Sequence, residues 1–282
     1  MIKVLGYGDS VFDDYFEQKI MYPGGNALNF SVYATELGVD SGFLGIFSDD
    51  MAGDYLKEIT KQRKIDTSMC KTIENSATQT CRIRLNGNDR VFCSDHDFEN
   101  QVPFIKFDSS LRSYMDSFDL VHVGCYCDAH NDIKDFQLRH ACVSYDLSNE
   151  GTTLQKKYYS KICPYVDFII FSSDFSVEYT KELMVEMYQL GCPNIIVTRG
   201  TKGQIFYNGS FYYGTCKKVN AIDTCGAGDS FLTAFLVSAL NAGYKKGDIL
   251  DEETIKIALE KASDFSSINC MRKGSFGCGK KY

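Results

Sequence analysis

No apolar run in this sequence is long enough to span a bilayer, and the opening MIKVLGYGDS has no basic segment leading into an apolar stretch and a small-residue cleavage site. Neither a membrane span nor a secretory signal is therefore expected. Excess positive charge is missing too: Lys and Arg total 30 against 37 Asp and Glu, a formal charge of -7. That balance argues against a nucleic-acid binder relying on a large basic face. It leaves anionic substrates open, because Mg²⁺ can balance charge inside a site. The twelve cysteines follow no regular framework, so they read as reduced thiols in a cytoplasm rather than as a disulfide scaffold. No internal repeat or low-complexity linker divides the 282 residues, a length that suits one large α/β domain with at most a small appendage.

What is present is an alternation of short apolar runs and helical periods. IKVLGYG (2–8) ends in glycines, as a first core strand does. SVFDDYFE (10–17) mixes aromatics with acids and suits a strand leaving the main sheet. After the turn YPGGN, residues 26–37 set Phe30, Tyr33, Ala34 and Leu37 at helical spacing, with Gly38 as the C-terminal cap. SGFLGIF gives one short strand ahead of a helix around 51–62. ATQTCRIRL and RVFCSD flank the hairpin turn NGND, and Arg82 and Arg84 alternate with Cys81, Ile83 and Leu85 so that one face is wet. We expect about 11–22 and 77–94 to form a small lid sheet inserted in a single domain, 1–282. From 119 onward DLVHVG, ACVSYDL, VDFIIFS and NIIVTRG are four strands separated by helices or loops, one of them near 176–190 with Ser176 as N-cap and Gly191 as its stop. This rhythm predicts a mostly parallel sheet covered on both faces. GQIFYNGSFYYG adds an antiparallel hairpin at the edge, and helices at about 228–241 and 251–268 follow.

Chemistry concentrates in two segments. In DTCGAGDSF (223–231), Gly226 and Gly228 let backbone N–H groups approach an anion, and Ser230 to Leu240 is apolar on nearly all sides, as a buried helix is. The N-terminus of such a helix aims unpaired N–H donors and a partial positive charge at the turn. Asp229 sits at the same edge, where it can take a proton from an attacking hydroxyl. The loop lacks the long glycine approach and the Lys–Ser/Thr ending of a Walker A motif, so it carries no strong cation of its own. A tight strand-to-helix connection capped by Asp229 is the structural alternative. Asp223 can organise the loop, support a cation or bind backbone N–H groups. At the other end, GDSVFDD and YPGGNALN offer carboxylates and carboxamides to sugar hydroxyls, with Asp13 as the principal candidate and Asn26 and Asn29 able to donate and accept. Here too a structural alternative stands, with the glycines making a turn and Asn26 a helix cap. The Cys125-Tyr126-Cys127 segment has His122 and His130 nearby, but in no recognised paired-ligand spacing.

Together, YPGGNALN and DTCGAGDSF resemble the N- and C-terminal signatures of the ribokinase-like, or PfkB-type, carbohydrate kinase family, in order and over nearly all of the chain. The resemblance implies a ribokinase-like three-layer α/β/α sandwich with a small β-sheet lid, Mg-ATP as donor and a sugar or related alcohol as acceptor. It makes Asp229 the catalytic base and the backbone of Gly226, Ala227, Gly228 and Asp229 the anion hole. Asp13, Gly25, Asn26 and Asn29 take the acceptor positions, with Arg90 on the lid as a further contact to substrate or phosphate. VTRGTKG (197–203) resembles the nucleotide-side loop, which makes Thr198, Gly200 and Gly203 neighbours of ATP. A homodimer through the lid completes what the family implies, beside the monovalent cation near Asp223 and the cytoplasmic location expected from the residues themselves. One departure stands out: the family's Asn-x-x-Glu segment reads FIIFSSDFSVE here, with Ser172 and Phe175 at the expected places and Asp174 or Glu178 as substitutes. Within the family, GYGDSVFDDY, YPGGNALNFSVYA, NDRVF, SYDLSNE and AIDTCGAGDSF resemble the subgroup that phosphorylates the 6-hydroxyl of fructoselysine, an Amadori compound. Another sugar or a nucleoside as acceptor, and a noncatalytic sugar- or nucleotide-binding regulator, are the alternatives.

Overall fold

The computed structural model describes residues 1–86, 89–93, 105, 107–127, 129–149 and 151–282, with the backbone alone at 89, 90 and 92. The centre of the NGND turn and the side chain of Arg90 lie outside the described residues. Among those described, eight strands form the central sheet in the order β14 (Phe211–Gly214), β13 (Gln204–Tyr207), β12 (Asn194–Thr198), β11 (Phe168–Ser172), β10 (Cys142–Asp146), β9 (Leu120–Gly124), β1 (Lys3–Tyr7) and β4 (Asp40–Leu44). Pairing is parallel from β12 through β4 and antiparallel for β12–β13 and β13–β14.

The two-residue period of the strands sorts their side chains into two cores. Val4, Leu120, Phe168, Ile170 and Ile196 face one side, under α1 (Asn26–Glu36), α7 (Ala227–Asn241) and α8 (Glu252–Asn269). Their neighbours Leu5, Val121, Ile169, Phe171 and Val197 face the other, under α3 (Ser109–Met115), α4 (Ile133–Phe136), α5 (Lys156–Tyr159) and α6 (Val177–Gln189). Both faces being covered explains why these strands read as unbroken apolar runs. The result is the expected α/β/α sandwich. Helix α7 is buried from Ser230 to Leu240, because α1 and α8 pack beside it on the sheet.

A second sheet has the order β15 (Lys280–Lys281), β3 (Ile20–Gly24), β2 (Val11–Tyr15), β7 (Thr80–Asn86) and β8 (Asp89–Phe92), over a small cluster of Tyr15, Tyr22 and Ile83. Strand β15 has no sequence signal: it is two lysines, a charged edge of the kind that blocks further pairing. SGFLGIF, read as one strand, divides at Gly45. Residues 40–44 stay in the central sheet, while β5 (Ile46–Ser48) pairs with β6 (Lys71–Ile73) beside α2 (Met51–Gln62). A Cβ at Gly45 would stand 2.6 Å from the Gly8 carbonyl oxygen, so the chain turns out of the sheet where only glycine fits.

Strand β1 has β4 on one side and β9 on the other. In sheets of this kind ligands bind at the carboxyl ends of the strands, where the order reverses, and α1 crosses there. Its approach is close: a Cβ at Gly6 would lie 2.2 Å from the Ala27 carbonyl oxygen and 2.5 Å from Ser31 Oγ. Overpacking of this kind costs about 1–3 kcal/mol. Gly6→Ala is therefore expected to lower Tm by several degrees in a thermal melt, and a Tm within about 1 °C of the parent would contradict the packing.

Candidate functional site

A cavity of about 1060 Å³ opens at the carboxyl ends of β1, β10, β11 and β12. Asp13, Gly25, Asn26 and Asn29 line it, as do Gly226, Ala227, Gly228 and Asp229. Thr198 and Gly200 border it as well, whereas Gly203 is not in its wall. Gly203 instead shapes the turn between β12 and β13: φ is +89° and a Cβ would sit 2.3 Å from Gly214 O. Ser172 lines the cavity and shares a 2.7 Å hydrogen bond with Thr198 Oγ1, but Asp174 and Glu178 are not among its described walls.

The start of α1 is built from a distance. Asp9, just past β1, accepts from the backbone N–H of Asn26 (3.1 Å) and Ala27 (3.3 Å). Gly25 at the N-cap has φ +106°, and a Cβ there would lie 2.8 Å from Asp9 O, too close to be accommodated. Because Asp9 caps the helix, the Asn26 side chain does not have to, and it reaches over the sheet. Asn26 and Asn29, three positions apart, share one face of the helix.

Both converge on Asp229, in the first turn of α7. Asn26 Nδ2 donates to Asp229 Oδ1 at 2.9 Å, and Asn29 Nδ2 donates to Oδ2 at 2.6 Å. The second hydrogen of Asn26 Nδ2 goes to Asp146 Oδ2 at 2.9 Å, so one amide serves two carboxylates. Asn26 Oδ1 in turn meets His122 Nε2 at 3.0 Å. A Cβ at Gly124 would come within 2.5 Å of that oxygen, which is why the carboxamide passes over a glycine. Asp146 is half-buried at the cavity wall; loss of solvent first, then the negative charges of Asp229 and Asp9, push its carboxyl up to about 7, against the lowering pull of its donors Ser148 N–H and Asn26. Burial likewise raises Asp9, with backbone donors offsetting part of the effect.

The glycine loop is fixed from outside. Gly226, at the N-cap of α7, has φ +70°. Asp223 accepts from Tyr15 Oη (2.7 Å), Cys225 N (2.9 Å) and Gly274 N (2.9 Å). The second sheet, through Tyr15, is thereby tied to the loop. Within the turn, Ala227 N–H donates to Thr224 O at 3.2 Å, so that donor is committed to the protein. Gly228 is exposed, and a Cβ there would meet nothing within 4 Å. Asp13 is 5% exposed, and its Oδ2 accepts from the Cys225 thiol at 3.3 Å.

Two members of this group are not singled out by sequence reasoning. Asp146 carries a signal, an acid closing an apolar strand. His122 stands out in the sequence only as a neighbour of the cysteines; among the described residues no group of three or more His, Cys, Asp or Glu is arranged to hold a metal ion. Lys217 and Lys218 also line the cavity, Lys217 paired with Asp264 at 2.8 Å.

The profile of the family described as pfkB family carbohydrate kinase matches residues 14–280. The chain is 30% identical to fructosamine kinase FrlD of Bacillus subtilis over 284 aligned positions, covering all of this chain and 95% of the relative. It is 28% identical to fructoselysine 6-kinase of Escherichia coli, covering 81% and 86% of the two. Among solved structures it superimposes on a fructokinase with bound ATP from Xylella fastidiosa with a TM-score of 0.81, at 18% identity over 97% of this chain and 94% of that one. A putative ribokinase II from E. coli in complex with ATP and Mg²⁺ gives 0.75, at 18% identity over 98% and 95%. At such identities the structural likeness bears on the fold.

The carboxyl of Asp146 has a folded-state pKa of about 7 against an ordinary 3.8. The folded protein therefore holds a proton that the unfolded chain has released, and stability falls as pH rises from about 4 to about 7 and is level above it. Asp146→Asn removes this effect. The Tm difference, variant minus parent, is expected to increase by several degrees between about pH 5 and pH 8. An equal difference at both pH values would contradict the half-buried, charge-crowded placement of Asp146.

Proposed function

This chain belongs to the pfkB family of carbohydrate kinases, and from that premise we propose that it transfers the γ-phosphoryl group of ATP to the 6-hydroxyl of fructoselysine or a related Amadori compound. It is an ATP-dependent carbohydrate kinase; the acceptor and the residue roles that follow are the proposal. The observation that carries it is the Asp229 carboxylate held by Asn26 and Asn29 at the N-terminus of α7, in the cavity shared with Asp13 and Thr198.

Asp229 takes the proton of the acceptor hydroxyl as its oxygen attacks the γ-phosphorus. The new O–P bond forms as the bond to the β–γ bridging oxygen breaks, and ADP leaves. The amide-lined end of α7 stabilises charge on the transferring oxygens. Asp223 organises the loop that presents those amides. Asn29 Oδ1 is buried with no partner in the described structure, an acceptor suited to a sugar hydroxyl, beside Asp13 on the same wall. The Asp146 carboxyl, a hard oxygen donor on the cavity wall, would hold Mg²⁺, which when bound with ATP would neutralise phosphate charge, leaving Asp229 as the base. Support for an Amadori acceptor comes from the two relatives whose names carry fructosamine and fructoselysine. The cavity is consistent with it: Asp13, Asp146 and Asp229 on its wall are oxygen acceptors for the N–H groups of a protonated secondary amine.

Incubation with Mg-ATP and a panel of fructoselysine, fructose, ribose and a nucleoside, read by product mass and phosphate position, tests the acceptor. Fructoselysine phosphorylated at O6 is expected to dominate. Transfer only to another sugar would overturn the acceptor, and binding without transfer would favour the noncatalytic regulator. Asp229→Asn should keep the fold and lower kcat by about 10²–10⁴-fold, the range for removal of a general base; near-parental ADP release would reject Asp229 in that role.

A further inference from the structure

We propose that His122, which lies inside the sheet and reaches no substrate, is a positioning residue that fixes the orientation of the Asn26 carboxamide and through it the Asp229 carboxylate. The inference rests on the reading of Asp229 as the base. Asn26 Nδ2 faces two carboxylates, those of Asp146 and Asp229. Turning the amide over would aim its oxygen at the Asp229 carboxylate, acceptor against acceptor, whether or not Asp146 carries its proton. Asn26 Oδ1 must therefore face His122, and His122 Nε2 must carry the hydrogen that it accepts at 3.0 Å. The other ring nitrogen, Nδ1, is 3.0 Å from Ser144 Oγ and accepts from that hydroxyl. The chain of donors runs Ser144, His122, Asn26, and then divides between the two carboxylates.

Each link is held in place. His122 is fully buried on β9 and Ser144 on β10, opposite one another in the parallel register. Phe30 of α1 covers the imidazole, with ring centroids 4.7 Å apart. Burial lowers the imidazole to about 3, so the ring stays neutral at physiological pH with a single N–H to give. A neutral, Nε2-protonated imidazole is a rigid donor whose direction the sheet sets, which is how outer partners orient functional groups elsewhere.

Glutamine places its amide nitrogen near the position of imidazole Nε2, and asparagine near that of Nδ1. His122→Gln should keep the bond to Asn26, and His122→Asn and His122→Leu should lose it. With Mg-ATP and fructoselysine, or the panel sugar turned over fastest, the Asn and Leu variants are expected to lose about 10–100-fold in kcat, with the KM for Mg-ATP within about twofold and the Gln variant within about threefold of the parent. Equal losses in all three, tracking their melting temperatures, would reduce His122 to a packing residue and overturn the proposal. Parental turnover in His122→Leu, beside an inactive Asp229→Asn, would sink this inference alone, whereas an active Asp229→Asn would sink the base assignment. An acceptor-independent measurement stands beside these. In protein labelled with ¹⁵N-histidine and assigned by the spectrum of His122→Leu, the ring nitrogens of His122 should report the neutral Nε2–H form throughout about pH 6–8. An Nδ1–H tautomer or an imidazolium would contradict the donor chain.

Discussion

The carboxamide of Asn26, with that of Asn29 beside it, spans the gap between the early half of the chain and the late half, and the arrangement of the cavity depends on it. Its nitrogen meets Asp146 and Asp229 while its oxygen meets His122. Two acids brought together in a half-buried place repel one another when both are charged, and the donor they share and the raised pKa of Asp146 both ease that repulsion. Three other features exist in the service of that contact. Asp9 caps α1 so that the Asn26 side chain is not taken up by the cap, Gly124 gives the carboxamide room, and Gly25 lets the helix begin against the end of β1.

The fold supplies the directions. Helix α7 is apolar around its circumference because it lies between the sheet and its helical neighbours. A helix so enclosed has only its ends to offer, and its N-terminal end opens on the crevice where the strand order reverses. The second sheet meets the same end: Tyr15 donates to Asp223, whose other partners are the backbone of the loop itself and of Gly274. Helix α1, glycine loop and second sheet are thus joined by buried and half-buried hydrogen bonds, and displacement of one bears on the others.

How much of this is legible in the sequence depends on how local the cause is. Helix α1, expected at 26–37, spans Asn26–Glu36, and α7, expected at 228–241, spans Ala227–Asn241. Their periodicities and terminal glycines lie within the segment they govern. The two ends of the site are also visible, since GGN and GAGD each announce a turn into a helix. Their union is not readable from either: the Asn26–Asp229 bond joins residues 203 apart, and the Asn26–His122 bond joins residues 96 apart. His122 sits in an otherwise ordinary strand, LVHVG, and only the fold reveals what lies above it. The division of SGFLGIF at Gly45 and the pairing of β15 with β3 are hidden for the same reason, because each is decided by a distant neighbour. Gly203 shows the converse, a residue in a recognisable segment whose observed contacts belong to the turn.

The claim beneath all of this is that the Asp229 carboxylate and the end of α7 meet phosphate and alcohol at one point. A structure of the protein with a sugar acceptor and a nonhydrolysable ATP analogue measures that directly. The account predicts the acceptor hydroxyl within hydrogen-bond distance of Asp229 and the γ-phosphate at the amides of the glycine loop, in line with that hydroxyl. A γ-phosphate bound elsewhere, or an acceptor whose hydroxyls all lie beyond reach of Asp229, would contradict it.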